Sequence, residues 1–326
     1  MVEHNAALII AYQRTEYISR FVPTLIESGI TEIYVALDGP SNSSIATLQK
    51  RLSEEIIVAA SYPKVNVWIW RRDQNLGAAV SVFTAIEWFF QFEEEGLILE
   101  DDLAFDSGFI TFAKKCLKDF RQNNNVWLIS GNQFFGSELE TDGPVLSHYP
   151  LIWGWATWRD RWLDISEAIL EPSAIQNRFR LNPRISFWET GRNRSHNGKV
   201  DAWDIPLVSP MWNKDKFCVQ PPKNLVSNMG VDGYSTHTTR PLWPLMLRTE
   251  HLEKSLEDYK ASAPELSQQL DDLLTTKFYK VRWRHALLPI YGPLKDLLTP
   301  NKFKLGLQAR VAKVSIPKKR TLLNGS

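Results

Sequence analysis

The chain has 326 residues, 44% of them hydrophobic, and its 38 Lys or Arg nearly balance 37 Asp or Glu. This length suits one large domain or two modest ones with a real apolar core. Only Cys116 and Cys218 occur, which excludes a disulfide scaffold and fits a reducing compartment. We expect no signal peptide at the N-terminus, and no membrane span, because no uncharged apolar window approaches the ~20 residues that a span needs.

Charge and tryptophan are unevenly distributed along the chain. From Lys277 onward there are twelve Lys or Arg and one acid, Asp296, so residues 1–276 carry about ten net negative charges. Seven of the thirteen Trp fall between residues 153 and 212. Aromatic residues at this density either fill a core or line a site for flat or ring-shaped ligands.

The first half alternates strand and helix patterns. In chain order the sequence predicts a strand Ala6–Ala11, a helix around Glu16–Ser28, a strand Glu32–Leu37, a helix Ser43–Glu55, a strand Val65–Trp70, a helix Leu76–Phe92, a strand over Leu97–Leu99, a helix from Asp106 or Ser107 to about Arg121, and a strand Val126–Ser130. Strands that are apolar throughout are covered on both faces, which indicates a parallel sheet built from βαβ units. The fold class is therefore α/β.

The pattern changes after residue 130. Residues 131–240 have more loops and more Trp, and we expect them to form the substrate side of a cleft opposite the half at 1–130. Residues 250–276 predict an acidic amphipathic helix pair broken near Pro264, and the remaining residues are basic. We therefore divide the chain into a domain at 1–240 and a helical, basic extension at 241–326.

The stretch 96-GLILEDDLAF-105 runs from a buried strand directly into Glu100, Asp101 and Asp102. In an open parallel sheet, ligands bind at the carboxyl ends of the strands, at the point where the strand order reverses. Clustered carboxylates without a nearby His or Cys suit Mg²⁺ or Mn²⁺, with phosphate oxygens completing the coordination. A solvated loop is the alternative for such a triplet standing alone.

Three neighbouring segments favour the ligand site. The first strand leads into Tyr12-Gln13-Arg14 without a glycine-rich loop, so neither a P-loop nor a dinucleotide fingerprint is present. Asp38 follows the second strand and suits the N–H of a base or a ribose hydroxyl. The turn 71-RRDQNLGAAVSV-82 opens a helix after Asn75 and suits an anion or a nucleotide.

Together these stretches resemble a known family. ALIIAYQRTEYISRFVPTL, VALDG, RDQNLG and ILEDDLAFDSGFITF, followed by 153-WGWATWRDRW-162, 201-DAWDIPL-207 and 224-NLVSNMGVDGYSTHT-238, look like a nucleotide-sugar glycosyltransferase of the GT-A fold. They are especially similar to N-acetylglucosaminyltransferase I and to bacterial inverting relatives with a WGWATW segment. The resemblance covers about residues 6–240 and implies a Rossmann-like, mostly parallel mixed sheet flanked by helices.

The resemblance also implies roles for the donor-side residues. Asp102 would bind the metal that bridges the diphosphate, Asp101 would contact ribose or metal-bound water, and Glu100 would lie beside the donor sugar. The nucleotide-facing positions are Tyr12, Arg14, Asp38, Arg72 and Asn75. His237 matches a position that can reach the metal or the diphosphate, with a plain surface residue as the alternative.

On the acceptor side, the resemblance places Gly154, Trp155 and Trp203 beside the donor sugar and acceptor, with core packing as the alternative for the Trp group. The family carries its catalytic base after the WGWATW segment, and we favour Asp204 over Asp201 for this role. That carboxylate would take the proton from the acceptor hydroxyl.

The expected function is inverting, metal-dependent transfer of a hexosyl or N-acetylhexosaminyl group from a nucleotide-diphosphate sugar, such as a UDP-sugar, to a glycan or lipid-linked glycan. The cofactor would be Mn²⁺ or Mg²⁺. Two alternatives are an inactive GT-A domain that binds glycans and a nucleotidyltransferase that makes the sugar nucleotide, although AYQRTEY lacks the glycine-rich loop which the latter needs.

The basic residues at 277–326 leave two interpretations open. We favour binding to an anionic membrane surface over docking on the acidic body of the protein, and we expect no nucleic-acid partner. The expected location is cytoplasmic, with peripheral attachment to the inner face of the membrane.

Overall fold

One eight-stranded mixed sheet organises the computed structural model, which describes residues 5–139, 143–171, 182–230, 264–289, 291–292 and 305–323. The strands are β1 (Ala6–Ala11), β2 (Glu32–Leu37), β3 (Asn66–Arg71), β4 (Glu95–Glu100), β5 (Leu103–Phe105), β6 (Val126–Ser130), β7 (Val145–Ser147), β8 (Trp155–Trp158), β9 (Phe217–Gln220) and β10 (Val226–Asn228). The large sheet has the order β3-β2-β1-β4-β8-β6-β9-β7, while β10 and β5 form a separate antiparallel pair.

Helices cover both faces of this sheet. They are α1 (Thr15–Glu27), α2 (Ser43–Ala60), α3 (Ala78–Phe89), α4 (Ser107–Phe120), α5 (Arg159–Leu170), α6 (Pro183–His196), α7 (Ile205–Asn213), α8 (Gln268–Leu273) and α9 (Leu307–Val311). One apolar cluster packs α1, α2 and α4 against the sheet, and a second packs α3, α5, α7 and α9 against its other face. The expected α/β architecture, with a mostly parallel mixed sheet flanked by helices, is confirmed.

The strand order creates a crevice between β1 and β4. Strands β3, β2, β1 and β4 are mutually parallel, and β1 lies between β2 and β4. The chain adds strands outward from β1 in one direction and then, at β4, in the other. Loops on the two sides of such a reversal point diverge, which opens a binding crevice at the carboxyl ends of the strands. Tyr12 and Glu100 stand at the two sides of that crevice.

The last four residues of the WGWATW segment, Trp155–Trp158, form the central strand β8. The strand lies antiparallel between β4 and β6, and all four of its residues are buried. Trp155 stacks on Trp203 with ring centroids 5.8 Å apart, and Trp162 packs across both rings. Core packing, the alternative for the Trp group, thus accounts for Trp155 and Trp203 as well as for Trp162.

The C-terminal residues 305–323 pack on the body of the protein. Leu307 is buried in the core cluster that contains α3. The backbone at Thr321 accepts a hydrogen bond from the N–H of Ile69 (3.0 Å), which extends the sheet at the edge strand β3. The guanidinium of Arg320 lies 4.0 Å from the ring centre of Trp68 and 3.5 Å from a carboxylate oxygen of Glu93. For these residues the structure shows docking on the acidic body. None of the helices in the described ranges is long and apolar enough to cross a membrane.

Candidate active site

Asp101 binds the loop that follows β1. Its Oδ2 accepts hydrogen bonds from the backbone N–H groups of Tyr12 (2.7 Å), Gln13 (3.0 Å) and Arg14 (3.1 Å). Burial raises the pKa of Asp101, although the three N–H donors oppose that shift. The carboxylate therefore fastens the β1–α1 loop to the end of β4 and fixes the shape of the crevice.

Asp102 is paired with Arg14 but keeps one oxygen unused. The Arg14 guanidinium bonds Asp102 Oδ2, whereas Oδ1 is buried and has no hydrogen-bond partner among the described residues. Burial, followed by the charge of Asp101, raises the pKa of Asp102 to about 6 against the opposing effect of Arg14. An orphaned carboxylate oxygen in this position is costly unless a cation or a donor occupies it.

Gly230 closes over this ion pair. Its carbonyl accepts a hydrogen bond from Arg14 Nη2 (3.1 Å), and its N–H donates to Asn228 Oδ1 (2.8 Å). A Cβ at residue 230 would lie 2.1 Å from Asp102 Oδ2 and 2.3 Å from Arg14 Nη1. A side chain at residue 230 would therefore displace the Asp102–Arg14 pair from its present geometry. The sequence alone gives no sign of this close approach.

Glu100 links the crevice electrostatically to α7. Burial raises its pKa well above the ordinary value, the charges of Asp102, Asp101 and Asp204 add to the shift, and the charge of Arg14 opposes it. Among the described residues that act on Glu100, the negative charges therefore outnumber the positive one. This imbalance attracts a further positive charge.

Asp38 and Asn75 join the neighbouring loops. Asp38 is 5% exposed and accepts hydrogen bonds from the N–H of Leu76 (3.1 Å) and from Asn75 Nδ2 (3.2 Å). Gln49 of α2 donates to the carbonyls of Tyr12 (3.0 Å) and Asp38 (2.9 Å), which ties the two loops together. Sequence reasoning missed Gln49, because nothing in an amphipathic helix pattern marks a position that bonds two distant carbonyls.

Arg72 lies in the packing between β3 and α3. It donates to the carbonyl of Ser81 (3.0 Å) and to Thr84 Oγ1 (3.0 Å), and its guanidinium lies 3.9 Å from the ring centre of Trp70. Burial lowers the pKa of Arg72 to about 10, with the charge of Asp38 opposing the shift. Its donors are therefore directed at α3, in contrast to those of Arg14.

Asp201 lies at the N-terminus of α3. Its Oδ1 is 3.0 Å from Arg310 Nη1, and Arg310 Nη2 donates to the carbonyl of Leu76 (2.8 Å). A Cβ at Gly77 would lie 2.8 Å from Asp201 Oδ2. The turn that the sequence marked as suited to an anion thus faces an internal carboxylate, which the C-terminal helix α9 neutralises.

Asp204 is exposed at the N-terminus of α7 and lines a cavity of about 580 Å³. The cavity lies between α6, α7 and residues 279–289, which include the 3-10 helix Trp283–Leu287, and Tyr291 also lines it. Its walls combine aromatic rings, such as Trp188 and Tyr279, with the charged side chains Arg194 and Arg284. The sequence did not indicate this cavity, because its walls come from stretches about 80 residues apart.

Gly154 supports the sheet beneath the crevice. It adopts φ +67°, which favours glycine, and its carbonyl accepts a hydrogen bond from the N–H of Gly131 (2.8 Å). A Cβ there would lie 3.0 Å from Val226, so the close approach of β10 also requires a residue without a side chain.

The predicted metal site involves Asp102 and His237. Within the described ranges, no group of three or more His, Cys, Asp or Glu is placed to hold a metal ion, and His237 lies outside these ranges.

Comparison of the sequence with known proteins found no relative of this chain. No protein-family model matches the chain, and no curated protein matches its sequence significantly.

Proposed function

We propose that this chain is an inverting, metal-dependent glycosyltransferase of the GT-A fold, which moves a sugar from a nucleotide-diphosphate donor to a hydroxyl of a glycan or lipid-linked glycan. One observation carries the proposal: Asp102 Oδ1 is buried at the carboxyl end of β4 without a hydrogen-bond partner among the described residues, while Asp204 is exposed on the wall of the 580 Å³ cavity. An inverting transfer needs a base on the acceptor side and charge neutralisation on the leaving-group side. Asp204 would supply the base, and a cation held by Asp102, together with Arg14, would supply the neutralisation.

On the donor side, the loops after β1, β2 and β3 would hold the nucleotide. Asp101 and Asp38 already bond backbone N–H groups, so their role in binding is to keep these loops in position. The Tyr12 side chain is partly exposed at the crevice and bonds Ser41 Oγ (2.7 Å), which leaves its ring face for a base or ribose. Arg14 would place its positive charge beside the diphosphate.

The residues at the end of β4 fit a divalent cation held by few protein ligands. Asp102 Oδ1 is buried without a partner in the described part of the chain, and it can take an ion whose other ligands are phosphate oxygens and water. The ion, when bound, would neutralise the diphosphate as it departs. Asp102 is the residue that would hold it, with Arg14 keeping the second carboxylate oxygen in place.

On the acceptor side, Asp204 would act as the general base. It is exposed to the cavity, whereas Asp201 is buried against Arg310. A carboxylate that touches the acceptor hydroxyl removes its proton while the oxygen attacks the sugar from the face opposite the diphosphate. The attack from that face inverts the configuration at the sugar carbon.

Calorimetry of nucleotide-sugar binding, with and without Mn²⁺ or Mg²⁺, tests the donor side. A thermal-shift screen of nucleotide sugars first selects the donor, because binding to the native state alone raises the melting temperature. Asp102→Asn should remove the metal-dependent part of the affinity, about 10- to 100-fold. Asp119→Asn, an exposed acid on α4, serves as the matched control and should change nothing. Equal metal-dependent affinity in the Asp102 variant and the wild type would contradict the proposal.

A further inference from the structure

We propose that the cavity beside Asp204 binds an anionic acceptor, a sugar residue that carries a carboxylate or a phosphate group. The inference rests on the proposed function, because only a transferase has an acceptor. What it adds is the chemical class of that acceptor. It also gives the basic residues at 282–285 a role in binding substrate.

The size and lining of the cavity suit a ring-shaped ligand. Its volume of about 580 Å³ falls in the range of small-molecule sites, which are mostly apolar with a few polar groups that fix orientation. Phe187, Trp188, Tyr279 and Tyr291 line it. Aromatic faces of this kind can pack against the apolar face of a sugar ring.

The charges in the cavity favour an anion. Arg194 of α6 and Arg284 of the 3-10 helix line it, whereas Asp204 is the one carboxylate among the lining residues that the structure describes. His285, next to Arg284 in the chain, also lines the cavity, and burial, followed by the charges of Arg284 and Arg282, lowers its pKa. An arginine presents paired N–H donors that match a carboxylate or phosphate.

The C-terminal wall of the cavity, which contains Tyr279, Arg284 and His285, is fixed to α6 by aromatic contacts. The ring centres of Trp188 and Tyr279 lie 4.6 Å apart in an edge-to-face arrangement, and those of Phe187 and His285 lie 5.1 Å apart. These contacts therefore hold the segment that carries Arg284 against α6, beside the cavity that Asp204 also lines.

Saturation-transfer NMR on the full chain, without nucleotide or metal, tests this inference with three probes. Methyl β-glucuronide carries a carboxylate, glucose 6-phosphate carries a phosphate, and methyl β-glucoside is neutral. We expect at least one anionic probe to bind about tenfold more tightly than the neutral one. The preferred anionic probe distinguishes a carboxylate from a phosphate as the natural group.

Two arginine variants locate the binding. Arg284→Gln and Arg194→Gln should each reduce the affinity for the preferred anion about three- to tenfold, and Arg284→Lys should restore part of it because the charge is retained. Arg284 is exposed, so its replacement tests the charge without disturbing the core. Arg51→Gln, which removes an exposed arginine from α2, should have no effect.

The outcomes separate this inference from the proposed function. Equal binding of neutral and anionic probes, or anion selectivity that persists in both Gln variants, would overturn the inference. Arginine-dependent anion binding in a protein that binds no nucleotide sugar would support the anion site and refute the transferase proposal.

Discussion

The polar residues at the crevice and those at the cavity serve different purposes. At the crevice, Asp38, Asp101 and Arg72 bond backbone groups or helix side chains and give the loops their shape. At the cavity, Asp204 and Arg284 are exposed and line open space. Strand-end carboxylates therefore build the framework of a site more often than a motif suggests, and the residues which face a ligand can come from less regular parts of the chain.

The largest expected effect distinguishes the two acids of DAWD. Asp204→Asn should reduce kcat about 10²- to 10⁴-fold, because the transition state loses its proton acceptor, while donor affinity by calorimetry stays near that of the wild type. Asp201→Asn should act on stability instead, since Asp201 is paired with Arg310. Near-normal turnover in the Asp204 variant, with loss of turnover in a folded Asp201 variant, would move the base to Asp201.

The next effect tests whether the C-terminal helix is part of the framework. Arg310→Gln leaves the buried Asp201 carboxylate without its partner and should lower the free energy of unfolding by about 3 kcal/mol, as measured by urea denaturation. Lys313→Gln removes an exposed charge from the residues just after α9 and should change stability by less than about 0.5 kcal/mol. Equal effects of the two variants would show that α9 does not hold the turn at Leu76.

A smaller effect is expected at Gly230, whose backbone covers the ion pair between Asp102 and Arg14. Gly230→Ala puts a methyl group against Asp102 and Arg14 and should cost about 1–3 kcal/mol of stability and weaken nucleotide binding. Gly143→Ala is the matched control, because a Cβ there meets no atom within 4 Å. An undisturbed nucleotide affinity in a stable Gly230 variant would show that the backbone after β10 does not restrain the ion pair.

Hydrophobic periodicity predicted most of the first half of the fold. The bounds of β1, β2 and β6 agree with the expected ones, and α4 begins directly after its cap, Asp106, whose Oδ1 accepts the N–H of Gly108 (2.8 Å). Such signals are local, since a strand or a cap depends on adjacent residues. The cluster at the end of β4 was also predictable, because parallel strands bring their carboxyl ends to one edge.

The cavity and the docking of the C-terminus were not predictable from the same patterns. Arg310 reaches Asp201 across 109 residues and Leu76 across 234. Neither contact can be recognised from a periodic pattern in the sequence, because each involves a single residue on either side. Trp155 and Trp203 illustrate a different difficulty. The sequence shows that a residue is aromatic, but it does not show whether that residue packs in a core or lines a ligand site.

The smallest expected effect is a pH dependence of the free energy of unfolding that comes from His148. His148 lies between Asp271, whose Oδ2 is 2.8 Å from Nδ1, and Asp215, whose Oδ1 is 3.0 Å from Nε2. Burial alone would lower the pKa of His148, but the hydrogen bonds and charges of these two acids raise it. Asp271 belongs to α8, so protonated His148 holds the start of the C-terminal segment against β7.

Because the pKa of His148 is higher in the folded than in the unfolded protein, its contribution to stability is complete below about pH 6.5 and declines as the pH rises through the folded pKa. We expect the free energy of unfolding to fall above pH 6.5 in the wild type, and this slope to vanish in His148→Gln. Asp215→Asn should reduce the slope less than Asp271→Asn does, since Asp215 is 80% exposed and its charge is screened by water. A wild-type slope that survives in His148→Gln would assign the pH dependence to other groups. The attachment of α8 would then depend on packing and on uncharged hydrogen-bond donors, such as the Ser147 hydroxyl that donates to Asp271 (2.6 Å).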